Sequence, residues 1–346
     1  MIEARGITRT FPGRGGLLGR SPVPAVRGVD FTIPDSGAVT FIGESGCGKT
    51  TLGRILCGLE DFDSGELVIG GHAMSTLRPR RRAPLFRRIQ MIHQDPYTAL
   101  NPTRTIEAIL GDPLALRARQ LGQDQEWIRS RRAELLELVG LDPRYVLPRY
   151  PHMLSGGMRQ RVVIARALTV DPEALVADEA VSMIDVSLRL GILRLISDLR
   201  ERLGVSVLFI THDVATARYV GREGEIYVLY RGMVVEHGGT EAVISGPVHP
   251  YTQCLLAAIP VLRGLEQPGS DRPAPLGPLD ERTEPPGCLF QPRCPYAAAD
   301  CQSRVPPLEQ LGASGHEHAC LYPQSRQVVA VPAGAAGTGA GDSAGR

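Results

Sequence analysis

The 346-residue sequence predicts an α/β fold built on a phosphate-binding loop, from three observations. Gly43-Glu44-Ser45-Gly46-Cys47-Gly48-Lys49-Thr50 lies between an apolar strand candidate at 37–42 and a helix candidate that opens at Thr51. A second apolar run, 174–177, ends in Asp178-Glu179, and a third ends in Ile210-Thr211-His212-Asp213. Buried strands alternating with helical patterns imply a sheet covered by helices.

The loop carries the first chemistry. In a Gly-x4-Gly-Lys-Thr turn, backbone N–H groups wrap the phosphates, the lysine reaches the β and γ phosphates, and the threonine hydroxyl ligates Mg²⁺. Lys49 is the only lysine among 38 Lys and Arg residues. A compositional pressure that replaced lysine everywhere else spared this position, because a compact ammonium and a planar guanidinium are not interchangeable. A nucleoside triphosphate site is therefore expected at Gly43, Glu44, Ser45, Gly46, Cys47, Gly48, Lys49, Thr50 and Thr51, with the following helix N-terminus facing the phosphates.

The remaining elements follow in chain order. Residues 1 to about 35 read as edge strands around a Gly- and Pro-rich loop from 12 to 24, with no core signal of their own. The arginines Arg78, Arg80, Arg81, Arg82, Arg87 and Arg88 read as a solvated loop. Ile128, Leu135, Leu136, Leu138 and Val139 mark a helix-rich stretch that interrupts the strand-helix order and should form a lobe. From His249 the chain turns to Pro, Cys and short turns, and it ends in an Ala- and Gly-rich stretch expected to be disordered.

Composition narrows the class. A net charge of +1 gives no electrostatic case for nucleic acid. Apolar runs fall short of the roughly 18–20 residues of a membrane span, and the N-terminus carries no secretory signal pattern, so a cytosolic location is expected. In that setting the seven cysteines are read as metal ligands or small apolar residues rather than disulfides.

Leu154-Ser155-Gly156-Gly157-Met158-Arg159-Gln160-Arg161 opens a helix with a serine cap and two uncovered glycine N–H groups, a ready anion site. Together with the loop, Gln94 after the 89–93 strand, Asp178-Glu179 and His212, this sequence resembles the ATP-binding cassette (ABC) proteins. The resemblance implies an ABC-type P-loop fold with a mixed sheet core, an antiparallel β edge and a helical subdomain at about 97–168, within a nucleotide-binding domain 1–246. It implies that Thr50, Gln94 and Asp178 arrange Mg²⁺, that Glu179 is the general base, and that His212 holds the attacking water. It matches Phe11 to an adenine-stacking aromatic. Ser155, Gly156 and Gly157, with Asp185, would serve the nucleotide of a second, head-to-tail copy. Ala180 stands where the family pattern has proline, which loosens the φ restraint just after the base.

Two stretches resemble the oligopeptide and dipeptide importer ATPases, closer to the second of the two paired types: Gln94-Asp95-Pro96-Tyr97-Thr98-Ala99-Leu100-Asn101-Pro102 and His249-Pro250-Tyr251-Thr252-Gln253. This implies an ATPase subunit at the cytoplasmic face of a membrane, paired with a paralogous ATPase and working with two permease subunits and an external solute-binding protein. Relatives of this kind carry peptides, nickel or oligosaccharides. A soluble ABC ATPase acting on ribosomes or DNA is the rival class; such chains usually hold two cassettes or a long coiled-coil insertion, and this one has neither.

Cys288, Cys294, Cys301 and Cys320 lie in the Cys-rich C-terminal extension, 247–323, and resemble the importer tail whose four cysteines hold a 4Fe-4S cluster. Thiolates also suit zinc, and His316 and His318 lie close by in sequence. Since these cysteines lie outside every nucleotide motif, a structural role separate from the ATPase is expected. Residues 324–346 are expected to be a disordered tail.

Overall fold

The computed structural model describes residues 1–13, 22–258, 276–277, 284–312, 315–326 and 328. Strands β1 (Ile2–Phe11) and β2 (Val23–Ile33) pair antiparallel, Ile2 opposite Ile33. They do carry a core, contrary to the sequence reading: Ile2, Ile7, Val29, Phe31 and Ile33 are buried against Phe41, Leu52 and Leu67. Register shifts between Ala4 and Ile7 and between Arg9 and Thr10 break the alternation on which a period-2 reading depends.

β3 (Ala38–Ile42), buried at all five positions, leads through the glycine loop into α1 (Lys49–Leu56). β4 (Ser64–Ile69) and β5 (His72–Ala73) complete a four-stranded antiparallel sheet in the order β2-β1-β4-β5. The arginine run then forms helix α2 (Pro79–Phe86) rather than a loop. Pro79 supplies a preset φ in the first turn, and only Leu85 is buried, so the arginines occupy a solvent face.

After β6 (Ile89–Ile92) come α3 (Pro96–Ala99), α4 (Ile106–Leu121), α5 (Gln125–Leu138), α6 (Pro143–Val146) and α7 (Gly156–Ala167). Each begins at a side-chain cap: Asp95, Thr105, Asp124, Asp142 and Ser155. Leu110, Leu114, Leu135, Leu136 and Val162 bury their shared face. The chain continues through β7 (Ala174–Asp178), α8 (Val186–Leu203), β8 (Ser206–Thr211), α9 (Val214–Val220), β9 (Glu225–Tyr230) and β10 (Met233–Gly239).

The second sheet has eight strands among the described residues. Helices α10 (Thr240–Ser245) and α11 (Pro250–Ala257) precede its last two, β11 (Glu309–Gln310) and β12 (Glu317–His318). The order is β11-β12-β10-β9-β3-β8-β7-β6. β9, β3, β8, β7 and β6 are mutually parallel. The loops after β3, β6, β7 and β8 therefore leave at one edge, where ligands bind in open α/β sheets. That geometry gathers the glycine loop, Gln94, Glu179 and His212.

The C-terminal segment is continuous with this sheet, since Glu236 of β10 pairs with His318 of β12. The fully buried Glu236 carboxylate accepts from the Val248 and His249 N–H groups and meets His316 Nε2 at 2.7 Å. Order extends past the expected tail boundary at 324. Gln253 Nε2 donates to the Gln324 carbonyl at 2.6 Å, the Arg326 N–H to Pro247, and Val328 is buried. The stretch 331–346 lies outside the described residues.

Candidate nucleotide site

The glycine loop has a backbone that only glycine tolerates. Gly43 (φ +153°) would place a Cβ 2.2 Å from the Leu229 carbonyl, and Gly48 (φ +103°) one 2.3 Å from that of Ala25. Gly48 also precedes α1 without a side-chain cap, which leaves the first N–H groups of that helix for an anion. Lys49, 4% exposed, donates to the carbonyls of Gly43 and Glu44, each at 2.8 Å. Its ammonium is thus held inside the loop.

Thr50 Oγ1 donates to Asp178 Oδ1 at 3.1 Å, so the two expected Mg²⁺ residues are adjacent. Burial pushes the Asp178 carboxyl above its usual range, with the Glu179 charge adding to the effect and the Thr50 hydrogen bond opposing it. A buried carboxylate whose charge is under-compensated by protein suits a cation.

Glu179 has φ +46°, in the left-handed region that is strained for a residue with a side chain. Its carbonyl accepts from both the N–H and the hydroxyl of Ser182, each at 3.0 Å, and its own N–H donates to Ile210. These bonds hold the turn that proline restrains in the common family pattern, with Ala180 packed beneath it at 1% exposure. The carboxylate is thereby aimed sideways: Oε2 accepts from Gln94 Nε2 at 2.8 Å, and Oε1 lies 3.0 Å from His212 Nδ1. Three residues from three strand ends meet at one carboxylate.

A cavity of about 270 Å³ is lined by Ser45, Gly46, Gly48, Lys49, Thr50, Thr51, Gln94, Glu179 and Ala25. A larger one, about 370 Å³, lies among Arg87, Arg117, Asp171 and Glu173, but holds neither the loop nor the carboxylate pair. The chemistry assigns the site to the smaller cavity. Phe11 ends β1 under the Arg9 guanidinium, 4.9 Å from the ring centroid, and does not line the cavity. Ser155, Gly156, Gly157 and Asp185 also lie outside its lining. Ser155 caps α7 through the Met158 N–H, and Asp185 precedes α8, exposed.

Cys288, Cys294, Cys301 and Cys320 are all free and line one cavity together. Burial raises the thiols of Cys288, Cys294 and Cys320, Cys294 to about 11. Cys57 and Cys254 are likewise raised by burial, to about 12 and about 11, which suits inert packing residues.

The segment that carries the cysteines touches the nucleotide motifs through a neighbouring residue. Arg293, immediately before Cys294, forms a two-pronged ion pair with Glu44 of the glycine loop at 2.7 and 2.9 Å. Tyr251 Oη accepts the Glu44 N–H at 2.8 Å. Arg293 lies in the stretch Cys288-Leu289-Phe290-Gln291-Pro292-Arg293-Cys294-Pro295 that resembles the importer tail, but the sequence assigns it no role, and it stands 249 positions from its partner.

Comparison with known proteins gives a consistent picture. The family described as ABC transporter matches residues 26–182, and the family described as oligopeptide/dipeptide transporter, C-terminal region, matches 235–301. The chain is 38% identical to the dipeptide transport ATP-binding protein DppF of Haemophilus influenzae, over 90% of this chain and 93% of that one. It is 37% identical to the oligopeptide transport ATP-binding protein AppF of Bacillus subtilis, over 93% and 97%. Among solved structures, the ATP-binding cassette MJ0796 in a dimeric post-hydrolysis state bound to ADP and Pi is similar with a TM-score of 0.61 and 28% identity, covering 69% of this chain and 99% of that one.

Proposed function

The chain belongs to the ABC transporter ATPases that carry the oligopeptide/dipeptide transporter C-terminal region, and from that premise we propose that it hydrolyses ATP to power the import of peptides. The observation that carries the ATPase reading is the contact of Gln94 and His212 with Glu179, beside a glycine loop that holds Lys49, and the peptide assignment rests on the likeness to DppF and AppF.

ATP is bound with its phosphates along the loop amides and α1, its β and γ charges met by Lys49. Mg²⁺, when bound at Thr50 and Asp178, neutralises phosphate charge. Glu179 accepts a proton from the attacking water, and His212 and Gln94 fix the carboxylate that does so. Ser155, Gly156, Gly157 and Asp185 act on the nucleotide of the facing subunit, which we assign to a paralogous ATPase. In this reading 1–246 is the nucleotide-binding domain with its helical subdomain at 97–168, and 247–323 is the extension.

Among the described residues no helix is long and apolar enough to cross a membrane. From the likeness to peptide importer ATPases we assign the substrate path to permease partners and an external binding protein, and this subunit to the cytoplasmic face. The decisive experiment is reconstitution with the permeases in proteoliposomes. ATP turnover should rise when binding protein loaded with a dipeptide or oligopeptide is supplied. Stimulation by nickel or oligosaccharide alone would redirect the substrate assignment, and co-isolation with ribosomes or DNA instead of permeases would overturn the transport reading.

The four cysteines supply iron–sulfur donors around one cavity, but that cavity encloses only about 20 Å³, the room of a water. Among the described residues no group of three or more His, Cys, Asp or Glu is placed to hold a metal ion, so the geometry supports neither an iron–sulfur cluster on the four cysteines nor zinc, including through His316 and His318. Iron–sulfur ligation is therefore proposed on the donor set alone, and no step of the ATPase reaction depends on it. Anaerobic purification with iron and sulfide analysis tests it; a colourless, iron-free protein refutes it.

A further inference from the structure

We propose that Arg293 is a positioning residue for the nucleotide site, holding Glu44 of the glycine loop and neutralising its charge beside the phosphates. The proposal rests on the reading that this loop binds ATP. Glu44 is an awkward residue for an anion-binding loop: its carboxylate lies outside the cavity lining, yet a negative charge carried on the loop still opposes phosphate binding through longer-range repulsion. The structure answers that repulsion with a guanidinium brought from the C-terminal extension.

The grip has several parts. Both Arg293 terminal nitrogens meet the Glu44 carboxylate, the fork geometry in which charge-assisted bonds are strongest. The Arg293 side chain is 7% exposed and that of Glu44 32%, so the guanidinium is shielded from water while the carboxylate is open to salt on one side. Arg293 is itself fixed: Nε donates to the Gly277 carbonyl at 2.9 Å, its N–H to Phe290, and Nη1 reaches Tyr230 Oη at 3.4 Å. Glu44 is held at its backbone too, by Tyr251 Oη on its N–H.

The link to the phosphate-binding ammonium is direct. The Glu44 carbonyl accepts from Lys49 Nζ at 2.8 Å, so a shift of the Glu44 peptide moves the lysine as well. Tyr230, Tyr251 and Phe290 pack mutually, with ring centroids 4.7 to 5.5 Å apart, and make this connection stiff. The extension thus acts on the loop through one ion pair and one hydrogen bond. The cysteine segment, which continues from Arg293 at Cys294, has a mechanical route to ATP affinity.

The test is a titration of the full chain with the fluorescent nucleotide MANT-ATP and Mg²⁺, at low and high salt. Arg293→Ala should raise Kd about five- to fiftyfold, because Glu44 is then left charged and without its guanidinium partner on the phosphate-binding loop. The loss should shrink at high salt. In a Glu44→Gln background, where no charge needs neutralising, the same change should alter Kd less than twofold. Arg293→Lys keeps the charge but not the fork, and should lie between parent and Ala; it carries the test if the Ala variant does not fold. Parent-like Kd in the Arg293 variants, or an equal loss with and without the Glu44 charge, overturns the proposal. Failure of the parent chain to bind MANT-ATP would instead overturn the nucleotide site itself.

Discussion

Lys49→Arg is the sharpest perturbation, since arginine serves at every other basic position of this chain. Lys49 is 4% exposed, and its ammonium makes two 2.8 Å bonds to loop carbonyls and lies 3.5 Å from Cys47 Sγ. The walls cannot retreat, because Gly43 and Gly48 already approach the Leu229 and Ala25 carbonyls too closely to admit even a Cβ. Forcing a planar guanidinium into that space costs about 1–3 kcal/mol by overpacking. Misplacing one charge-assisted hydrogen bond to phosphate costs about 1.5–3 kcal/mol more. At about 1.4 kcal/mol per tenfold, ATP affinity should fall by about two to four orders of magnitude. MANT-ATP titration reads this directly, with circular dichroism to establish that the variant is folded. A folded variant that binds within threefold of the parent would refute the argument that the loop admits only a compact cation.

Three further outcomes are expected. Glu179→Gln should keep ATP affinity while turnover drops by about 10²–10⁴, the usual share of a general base, and ATP should accumulate in a closed dimer detectable by size exclusion; turnover at the parent rate would assign the base elsewhere. Asp178→Asn should melt higher than the parent at pH 7 without Mg²⁺. The folded pKa of Asp178 is raised above its unfolded value by burial. Stability therefore declines as pH rises from the ordinary carboxylate range through the raised pKa, and an uncharged isostere escapes that loss. The same variant should gain less from Mg²⁺-ATP than the parent does, and a lower melting point without Mg²⁺ would show that the charge is already compensated. Ser155→Arg should leave MANT-ATP binding by the isolated chain intact, because Ser155 lies outside its own loop's cavity, yet abolish turnover in the assembled dimer; weakened binding in the single chain would contradict a role in the facing site.

Much of the site is local in sequence, and for a physical reason. A phosphate cradle, a capped anion-binding helix and a strand ending in two carboxylates each need a few adjacent residues of restricted type, so Gly43 to Thr51, Ser155 to Gly157 and Asp178-Glu179 announce themselves. The parallel strands were legible because β3, β7 and β8 are buried throughout and read as continuous apolar runs. β1 was less so, because its register shifts spread the buried residues over two alternations. The arginines of α2 looked like a loop because a helix with one buried residue has almost no apolar stripe to reveal it.

Tertiary structure alone decided what touches what. That Gln94 and His212 converge on Glu179 follows from neighbouring parallel strands ending at one edge, and the left-handed turn at Glu179 that aims the carboxylate comes from Ser182 and Ile210, not from its own preference. The meeting of Arg293 with Glu44 could not be read from the chain at all. An ion pair between residues 249 positions apart leaves no spacing, period or motif; it exists because the C-terminal segment adds strands to the nucleotide-binding sheet and packs Phe290 on Tyr230 and Tyr251, which brings the guanidinium to the loop.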